Sequence, residues 1–414
     1  MTIYEPAEDS YLLQKYVSIF AEGRVLDLGT GSGIQALTAI KNPQVREVVA
    51  IDIDEESIRA LITKQEREKL RKLTIEQGDL FSGLKGQFNV IIFNPPYLPQ
   101  DKVAGKIIED KALYGGKKGW EISERFFQDV SKYLLPEGRI LFLFSSLTNK
   151  KKIESLINEH LLVFKELSRG RMAFEELYIY SIDKNPVLRK LEALGIESIG
   201  YFSKGSRGKI YRGLLDYSKL EKKSLFRDKS KIKEVVIKLK RVDSKAESSL
   251  QDEARWLKIA NDSGIGPKIL WSDEDYVVME RIEGQFIIPW IEISTKKDVA
   301  LALEDVLRQC FILDGLGISK EEMHRPLKHI IIRGRGDFKP KVTLLDFERS
   351  RQTEKPQNVT QFVEFICRTR KELEKKGWKL DLAKLRVLAS EYKKESNKEK
   401  RKECLEKIIN CLNN

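Results

Sequence analysis

Over residues 1–182, short apolar runs alternate with amphipathic stretches, the rhythm that successive β-α-β units produce. Arg24–Leu28, Glu47–Ile51, Leu73–Gln77, Asn89–Phe93, Arg139–Phe144 and Glu176–Ile182 predict strands. Ile34–Ile40, Glu55–Leu70 and Trp120–Leu135 predict helices, so the expected fold is α/β with a mostly parallel sheet. A turn signal, Asp183-Lys184-Asn185-Pro186, breaks the pattern. From about Val187 the order changes. A helix over Leu188–Leu194 leads into strands Ser198–Phe202, Lys209–Leu214 and Glu234–Lys240. A helix over Leu250–Asn261, strands Lys268–Trp271 and Tyr276–Glu280, and mainly helical sequence follow. Strands first and helices later predict a two-lobed α+β domain, giving domains at 1–182 and 187–414. No internal repeat is visible, and the lysine-rich Lys219–Lys233 reads as a long flexible loop.

Composition sharpens this division. A chain of 414 residues exceeds the size at which one core usually stops growing. No run of about 18 apolar residues predicts a membrane span, and Met1–Pro6 does not resemble a signal peptide. Cys310, Cys367, Cys404 and Cys411 are scattered without a CxxC pair, and only His160, His324 and His329 are present. Neither a disulfide framework nor a zinc site is expected, and the thiols fit a reducing, cytoplasmic setting. Residues 1–182 carry a net charge of −1 and the remainder +13, so the whole basic excess lies in the second half. Such an excess suits a ribosome or RNA neighbourhood. Its lysines and arginines are interleaved with glutamates and have few aromatic companions, which favours solvated helices instead.

The chemistry of the first half concentrates at strand ends. Val25-Leu26-Asp27-Leu28-Gly29-Thr30-Gly31-Ser32-Gly33 follows an apolar strand and opens a helix. Its glycines let the backbone turn tightly and approach a ligand. The spacing G-x-G-x-G differs from the dinucleotide fingerprint, and Asp27 suits a ligand with an ammonium group, such as S-adenosylmethionine. Asp52 closes the next strand about 20 residues on, where a carboxylate can accept both ribose hydroxyls. Asp79 ends a third strand and is placed to hold an adenine amino group, with Leu80 packing on the ring. The fourth strand ends in Asn94-Pro95-Pro96-Tyr97. The Asn94 side-chain oxygen and the Pro95 carbonyl can each accept one N–H of a planar NH2 group, while Tyr97 offers a stacking face. An amide nitrogen is a poor nucleophile, so alignment is the main catalytic contribution expected here.

These elements resemble the HemK-like release-factor glutamine methyltransferases, which share a Rossmann-like class I methyltransferase fold. Tyr4-Glu5-Pro6-Ala7-Glu8-Asp9-Ser10 and Ala112-Leu113-Tyr114-Gly115-Gly116-Lys117-Lys118-Gly119 are most similar to the eukaryotic and archaeal branch, in which an aromatic residue often stands where Leu113 does here. The resemblance implies that Ser10, Asp27, Gly29, Gly31, Asp52, Asp79, Leu80 and Asn94 contact the cofactor, and that Asn94, Pro95 and Tyr97 hold the substrate. It further implies N5-methylation of the glutamine in the Gly-Gly-Gln loop of a peptide-chain release factor. A small zinc-binding activator acting in trans is also implied, because this chain has no zinc module of its own. Asn-Pro-Pro-Tyr would grip an adenine amino group equally well, so an N6-adenine methyltransferase is the rival within enzymes. The near-neutral first half and the lack of a large insertion there argue against it. A non-enzymatic adaptor is a rival of another class, opposed by the three carboxylates Asp27, Asp52 and Asp79.

In the second half, Ser203-Lys204-Gly205-Ser206-Arg207-Gly208-Lys209-Ile210 fits G-x-G-x-x-G-x-V with serine first. Lys238 in Val236-Ile237-Lys238 matches the strand lysine that reaches nucleotide phosphates, and Glu253 is placed to pair with it. Val277–Gly284, containing Glu280, resembles a hinge, and Leu344-Leu345-Asp346-Phe347-Glu348 resembles the D-F-G segment whose Asp binds magnesium. The order is similar to Rio-like and KEOPS-type small kinases and to archaeal kinase-like proteins, which implies ATP and Mg as ligands of Gly205, Gly208, Lys238, Glu253, Glu280 and Asp346. The catalytic loop departs from the pattern. One alignment puts Pro326 at the catalytic Asp and His329 near the Asn; another puts Glu321 at the base. Neither restores both groups, so transfer to a protein hydroxyl is expected to be slow or confined to a special acceptor, and nucleotide binding without transfer or a docking role on the translation machinery stays open.

Overall fold

The computed structural model describes residues 6–99, 114–172, 174–204, 208–216, 232–240 and 250–413. Outside these lie Tyr4, Glu5, Ala112, Leu113, Gly205 and all but the last two residues of the expected Lys219–Lys233 loop. The described residues form two compact units, one ending at Tyr201 and the other beginning at Phe202, with Asp216 grouped with the first.

The first unit opens with α1 (Glu8–Phe20), followed by β1 (Gly23–Leu28), α2 (Ile34–Ile40), β2 (Val45–Asp52), α3 (Glu55–Glu68), β3 (Leu73–Gln77) and β4 (Phe88–Phe93). Then come α4 (Glu121–Tyr133), β5 (Leu134–Ser145), α5 (Lys150–Glu159), β6 (Leu162–Arg171), β7 (Glu176–Lys184) and α6 (Pro186–Ala193). Seven strands make one sheet in the order β3-β2-β1-β4-β5-β7-β6. The pairs β3–β2, β2–β1, β1–β4 and β4–β5 are parallel, whereas β5–β7 and β6–β7 are antiparallel. The sheet is thus mostly parallel, as the sequence pattern predicts. Because helices cover both faces, Val48–Ile51 and Val90–Phe93 are buried at consecutive positions. The strand order reverses between β1 and β4, and the crevice beyond their carboxyl ends is where open α/β sheets bind ligands.

Element ends follow local chemistry. The helix expected to Leu70 stops at Glu68 because Lys69 takes a left-handed conformation, φ 53°, and its N–H bonds back to Gln65. The helix expected to Leu135 stops at Tyr133, and β5 begins at Leu134, five residues before the expected start. Pro136 explains this, since the residue before a proline is disfavoured in a helix. At the predicted break Asn185 caps α6 by accepting the Leu188 N–H, and Pro186 occupies the first turn.

Leading into the second unit, β8 (Ile196–Lys204) joins β9 (Gly208–Asp216), β10 (Ile232–Lys240), β11 (Ile269–Ser272) and β12 (Tyr276–Glu280) in a sheet ordered β11-β12-β10-β9-β8. Between β10 and β11 runs α7 (Leu250–Asp262). Next come β13 (Gln285–Phe286), α8 (Ile287–Ile293), α9 (Lys296–Gly315), β14 (Ile318–Lys320), β15 (Ile330–Arg333), β16 (Lys341–Leu344) and β17 (Ser350–Gln352). The chain closes with α10 (Asn358–Arg368), α11 (Arg370–Glu374), α12 (Leu382–Lys394) and α13 (Lys398–Asn413). The stretch after β12 is therefore not simply helical. Small sheets β13-β15-β16 and β14-β17 interrupt it, their strands too short to show periodicity. The long helices bury apolar stripes, as in α10 with Val359, Phe362, Val363 and Ile366 at the spacing of one helical face. Among the described residues no helix is long and apolar enough to cross a membrane. The four cysteines are unpaired.

Candidate active site

Strand β1 is buried between β2 and β4, so Asp27 near its end is 2% exposed. Burial pushes its carboxyl up to about 6, against the opposing bonds from the Thr30 hydroxyl and the Ala36 N–H. Those bonds are 2.6 and 2.9 Å long, both to Oδ2. The glycine turn is stapled to β2, with Gly29 and Thr30 donating N–H groups to the Ile51 carbonyl at 2.8 and 3.0 Å. Gly29, Gly31 and Gly33 all have positive φ, which turns the chain from β1 into α2. Asp52 accepts the Gly31 N–H through Oδ2 at 2.7 Å, fixing the carboxylate against the turn. Leu80 has φ 50°, and Asp79 beside it pairs with Arg125 of α4 at 2.7 Å. Sequence reasoning did not supply that partner, which stands 46 residues away.

Asn94 ends β4. Its Nδ2 donates to Asp9 Oδ2 at 2.9 Å, and its Oδ1 is buried with no hydrogen-bond partner among the described residues. Asp9 also accepts the Ser10 N–H at 2.6 Å, and both residues are buried. An acidic acceptor can bond only the NH2 end of the Asn94 amide, so Asp9 turns the amide oxygen the other way. Asp9 is a site residue that sequence reasoning left without a role, although it stands in the Tyr4–Ser10 motif. The glycines of Tyr114–Gly119 have a steric purpose. A Cβ on Gly115 would lie 2.4 Å from the Pro96 carbonyl oxygen, and one on Gly119 would lie 2.6 Å from that of Tyr97. The loop therefore presses directly on the Asn94–Tyr97 backbone.

A cavity of about 760 Å³ gathers these groups. Ser10, Asp27, Gly29, Gly31, Asp52, Asp79, Leu80, Asn94, Pro95 and Tyr97 all line it, so the residues expected to contact cofactor or substrate meet in one place. Gln35, Arg125 and Glu175 line it as well. Glu175 follows β6, and its Oε2 is buried without a partner among the described residues. No local sequence signal marks it. The acceptors fit adenosylmethionine: a buried carboxylate, Asp27, beside a glycine turn and a second carboxylate, Asp52, at the end of β2.

In the second unit, Lys238 of β10 pairs with the buried Glu253 of α7 and lies 3.9 Å from Asp346 Oδ1. Burial pushes the Lys238 ammonium down, but Glu253 and Asp346 outweigh it and hold the group above the usual lysine range. Carboxylate oxygens of Glu253, Asp346 and Glu348 lie within 4.8 Å of one another. Gly208 opens β9, where a Cβ would lie 2.3 Å from the Leu239 carbonyl oxygen. Glu280 stands apart from this group: its register partner on β10 is Val235, and its carboxylate accepts the Lys268 N–H at 3.1 Å. Glu321 turns to Arg351 at 3.7 Å, with its side chain 45% exposed, and Pro326 is buried. The next residue, Glu322, faces the Asp346 cluster, 3.3 Å from the Lys320 ammonium.

The sheet order, the glycine turn and the carboxylates at successive strand ends define a class I S-adenosylmethionine-dependent methyltransferase fold in the first unit. Residues 8–171 match the methyltransferase small domain family. A candidate protein N5-glutamine methyltransferase of Methanocaldococcus jannaschii is 37% identical over 183 residues, covering 43% of this chain and 89% of the relative. Through this first unit, the chain belongs to the HemK-like protein N5-glutamine methyltransferase family. The release factor glutamine methyltransferase of Deinococcus radiodurans is 37% identical over 125 residues, 28% of this chain, which spans 44% of that relative's length. The mouse methyltransferase HEMK2 is 30% identical over 151 residues, 33% of this chain and 68% of its own length.

Proposed function

We propose that the chain methylates the side-chain nitrogen of the glutamine in the Gly-Gly-Gln loop of a peptide-chain release factor. One observation carries this reading: the Asn94 amide oxygen, aimed by Asp9, is a buried acceptor in the cavity with no partner of its own. A planar NH2 donor satisfies it, and a buried acceptor left unmet costs about 1–3 kcal/mol. The Pro95 carbonyl takes the second N–H, and Tyr97 covers the amide plane. Asp27 meets the ammonium group of the cofactor, Asp52 its ribose hydroxyls, and Asp79 with Leu80 its adenine. Adenosylmethionine supplies an electrophilic methyl group on its sulfonium. The chain's own part is to desolvate the amide, point its nitrogen at that methyl and hold both in line. A zinc-binding activator in trans belongs to the proposal, supported by the likeness of Tyr4–Ser10 and Ala112–Gly119 to the branch that uses one.

The test incubates the full chain with methyl-labelled cofactor and an archaeal-type release factor, with and without the activator, and maps the label. Label on the loop glutamine, increased by the activator, is expected. Label on adenine in DNA instead would overturn the reading. Asn94→Ala should lower turnover by roughly a hundredfold or more while cofactor affinity changes little, because it removes a contact that matters chiefly in the transition state.

For the second unit, nucleotide binding is the reading we favour. The Lys238–Glu253 pair beside the Asp346 and Glu348 carboxylates is an arrangement that can hold phosphates and a divalent cation.

A further inference from the structure

We propose that the second unit transfers a phosphoryl group, and that Glu322 is the residue receiving the proton of the acceptor hydroxyl; this rests on the nucleotide reading of that unit. Sequence spacing offered Glu321 for this task in one alignment, and in the other set Pro326, which cannot accept a proton, at the position of the catalytic Asp. Geometry assigns it to Glu322, through a lysine that no alignment singled out. The Lys320 side chain is fully buried, and its ammonium donates to the Asp346 carbonyl oxygen and approaches Glu322 Oε2 at 3.3 Å. A buried ammonium is tolerated only when such partners are held firmly in place. Lys320 is therefore a strut tying the Glu322 carboxylate to the backbone of Asp346.

Asp346 joins the two sides of this cluster. Its φ of 62° places it in the left-handed region, an uncommon conformation that Asp tolerates better than most residues. Its carbonyl meets Lys320, while its carboxylate faces Lys238 at 3.9 Å and His329 Nδ1 at 3.6 Å. Glu322 thus stands across Asp346 from the lysine that would hold phosphate. Its Oε1 lies 3.9 Å from Arg349, beyond hydrogen-bond reach, so that oxygen can accept a hydroxyl proton. Glu321, one residue earlier, projects away from the cluster to Arg351.

In the step, the acceptor hydroxyl oxygen forms a bond to the γ-phosphorus of ATP. The bond from that phosphorus to the β,γ-bridging oxygen breaks and ADP leaves. The hydroxyl proton passes to Glu322 and then to solvent. Phosphoryl transfer depends mainly on positioning and charge neutralisation, so a longer carboxylate side chain reaching in from a neighbouring turn can replace an aspartate.

The test uses the full chain with ATP–Mg alone, so that water and the chain's own hydroxyls are the acceptors. Calorimetry reads binding, while released phosphate and label from γ-labelled ATP read transfer. The wild type should bind and transfer slowly. Glu322→Gln should bind within about twofold of wild type, yet lose transfer by on the order of a hundredfold or more. Glu322→Asp should retain part of the transfer, which also serves if the glutamine variant does not fold. Glu321→Gln should match the wild type in both readouts, and Asp346→Ala should lose binding. Unchanged transfer in Glu322→Gln, no transfer in a wild type that binds ATP–Mg, or full loss of transfer in Glu321→Gln would each overturn the assignment and leave nucleotide binding standing. Absence of binding in the wild type would remove both.

Discussion

At Asp27, burial and ligand chemistry pull in opposite directions. Removal from water raises its carboxyl from 3.8 to about 6, so without a ligand the neutral form is favoured below that pH. The folded value lies above the unfolded one. The stability this group contributes is therefore complete below about pH 4 and is lost as pH rises through about 6. Ionised near neutral pH, it disfavours folding by about 3 kcal/mol. A cationic ligand reverses the preference, because the ammonium of adenosylmethionine or adenosylhomocysteine stabilises the ionised carboxylate. Affinity for adenosylhomocysteine should therefore rise with pH, approaching tenfold per unit below the midpoint and levelling off above about 6. Asp27→Asn should flatten that profile and weaken binding near neutrality. The same variant should melt no lower than wild type without ligand, since the group it removes is a buried charge. Calorimetric titration at several pH values, with a melting curve at each, checks both statements. A slope that survives in Asp27→Asn would assign the titration to another group.

The elements that hold these residues differ in how openly the sequence declares them. Strands β2 and β4 lie inside the sheet, buried on both faces, and their apolar runs are plain from composition alone. Helix α1 is not, because the face it buries carries Asp9 and Ser10 beside Leu13 and Val17. Two of those four positions serve the site instead of the core, which erases the apolar stripe. Edge strand β6 is exposed along much of its length and reads as polar sequence. The base proposed for the second site escapes for another reason. Glu321 and Glu322 are adjacent in a single 3-10 turn, Glu321–His324, where successive side chains point about 120° apart. Spacing cannot choose between them, and the direction of Lys320 can. The glycine turn was legible, and it yields a prediction for the β1–α2 junction. Gly33 has φ 77°, and a Cβ there would lie 2.5 Å from Leu61 Cδ1 on α3. An alanine in the left-handed region costs about 1–2 kcal/mol, and moving Leu61 adds to that. Gly33→Ala should lower the melting temperature of its unit by about 4–10 °C. Gly83→Ala, at φ 83° with nothing within 4 Å, should cost only the backbone share. Equal losses in the two variants would show that the Leu61 contact relaxes freely.

On the scale of the whole molecule, charge and core are both divided. Among the described residues, a buried cluster in each unit shares no residue with that of the other. One is built around β1, β2 and β4 with α1 and α2, the other around α7, α9, α10, α12 and α13. Each unit contains about 200 residues, a size at which a single core is ordinarily stable without help. Heating the full chain should therefore give two transitions, and ligands should tell them apart. Adenosylhomocysteine at about a hundred times its dissociation constant stabilises only the state that binds it, by about 2.7 kcal/mol. For a unit of this size that corresponds to a rise of about 5–10 °C in one transition. ATP–Mg should raise the other and leave the first in place. Gly33→Ala supplies the cross-check, because it should lower only the transition that adenosylhomocysteine raises. Differential scanning calorimetry of the full chain, wild type and variant, with each ligand separately and with both together, measures all of these shifts. If the units melt independently, the shifts with both ligands present equal those seen with each alone. A single transition that either ligand raises would mean that the two cores unfold as one cooperative body, and that occupancy of either site is felt at the other.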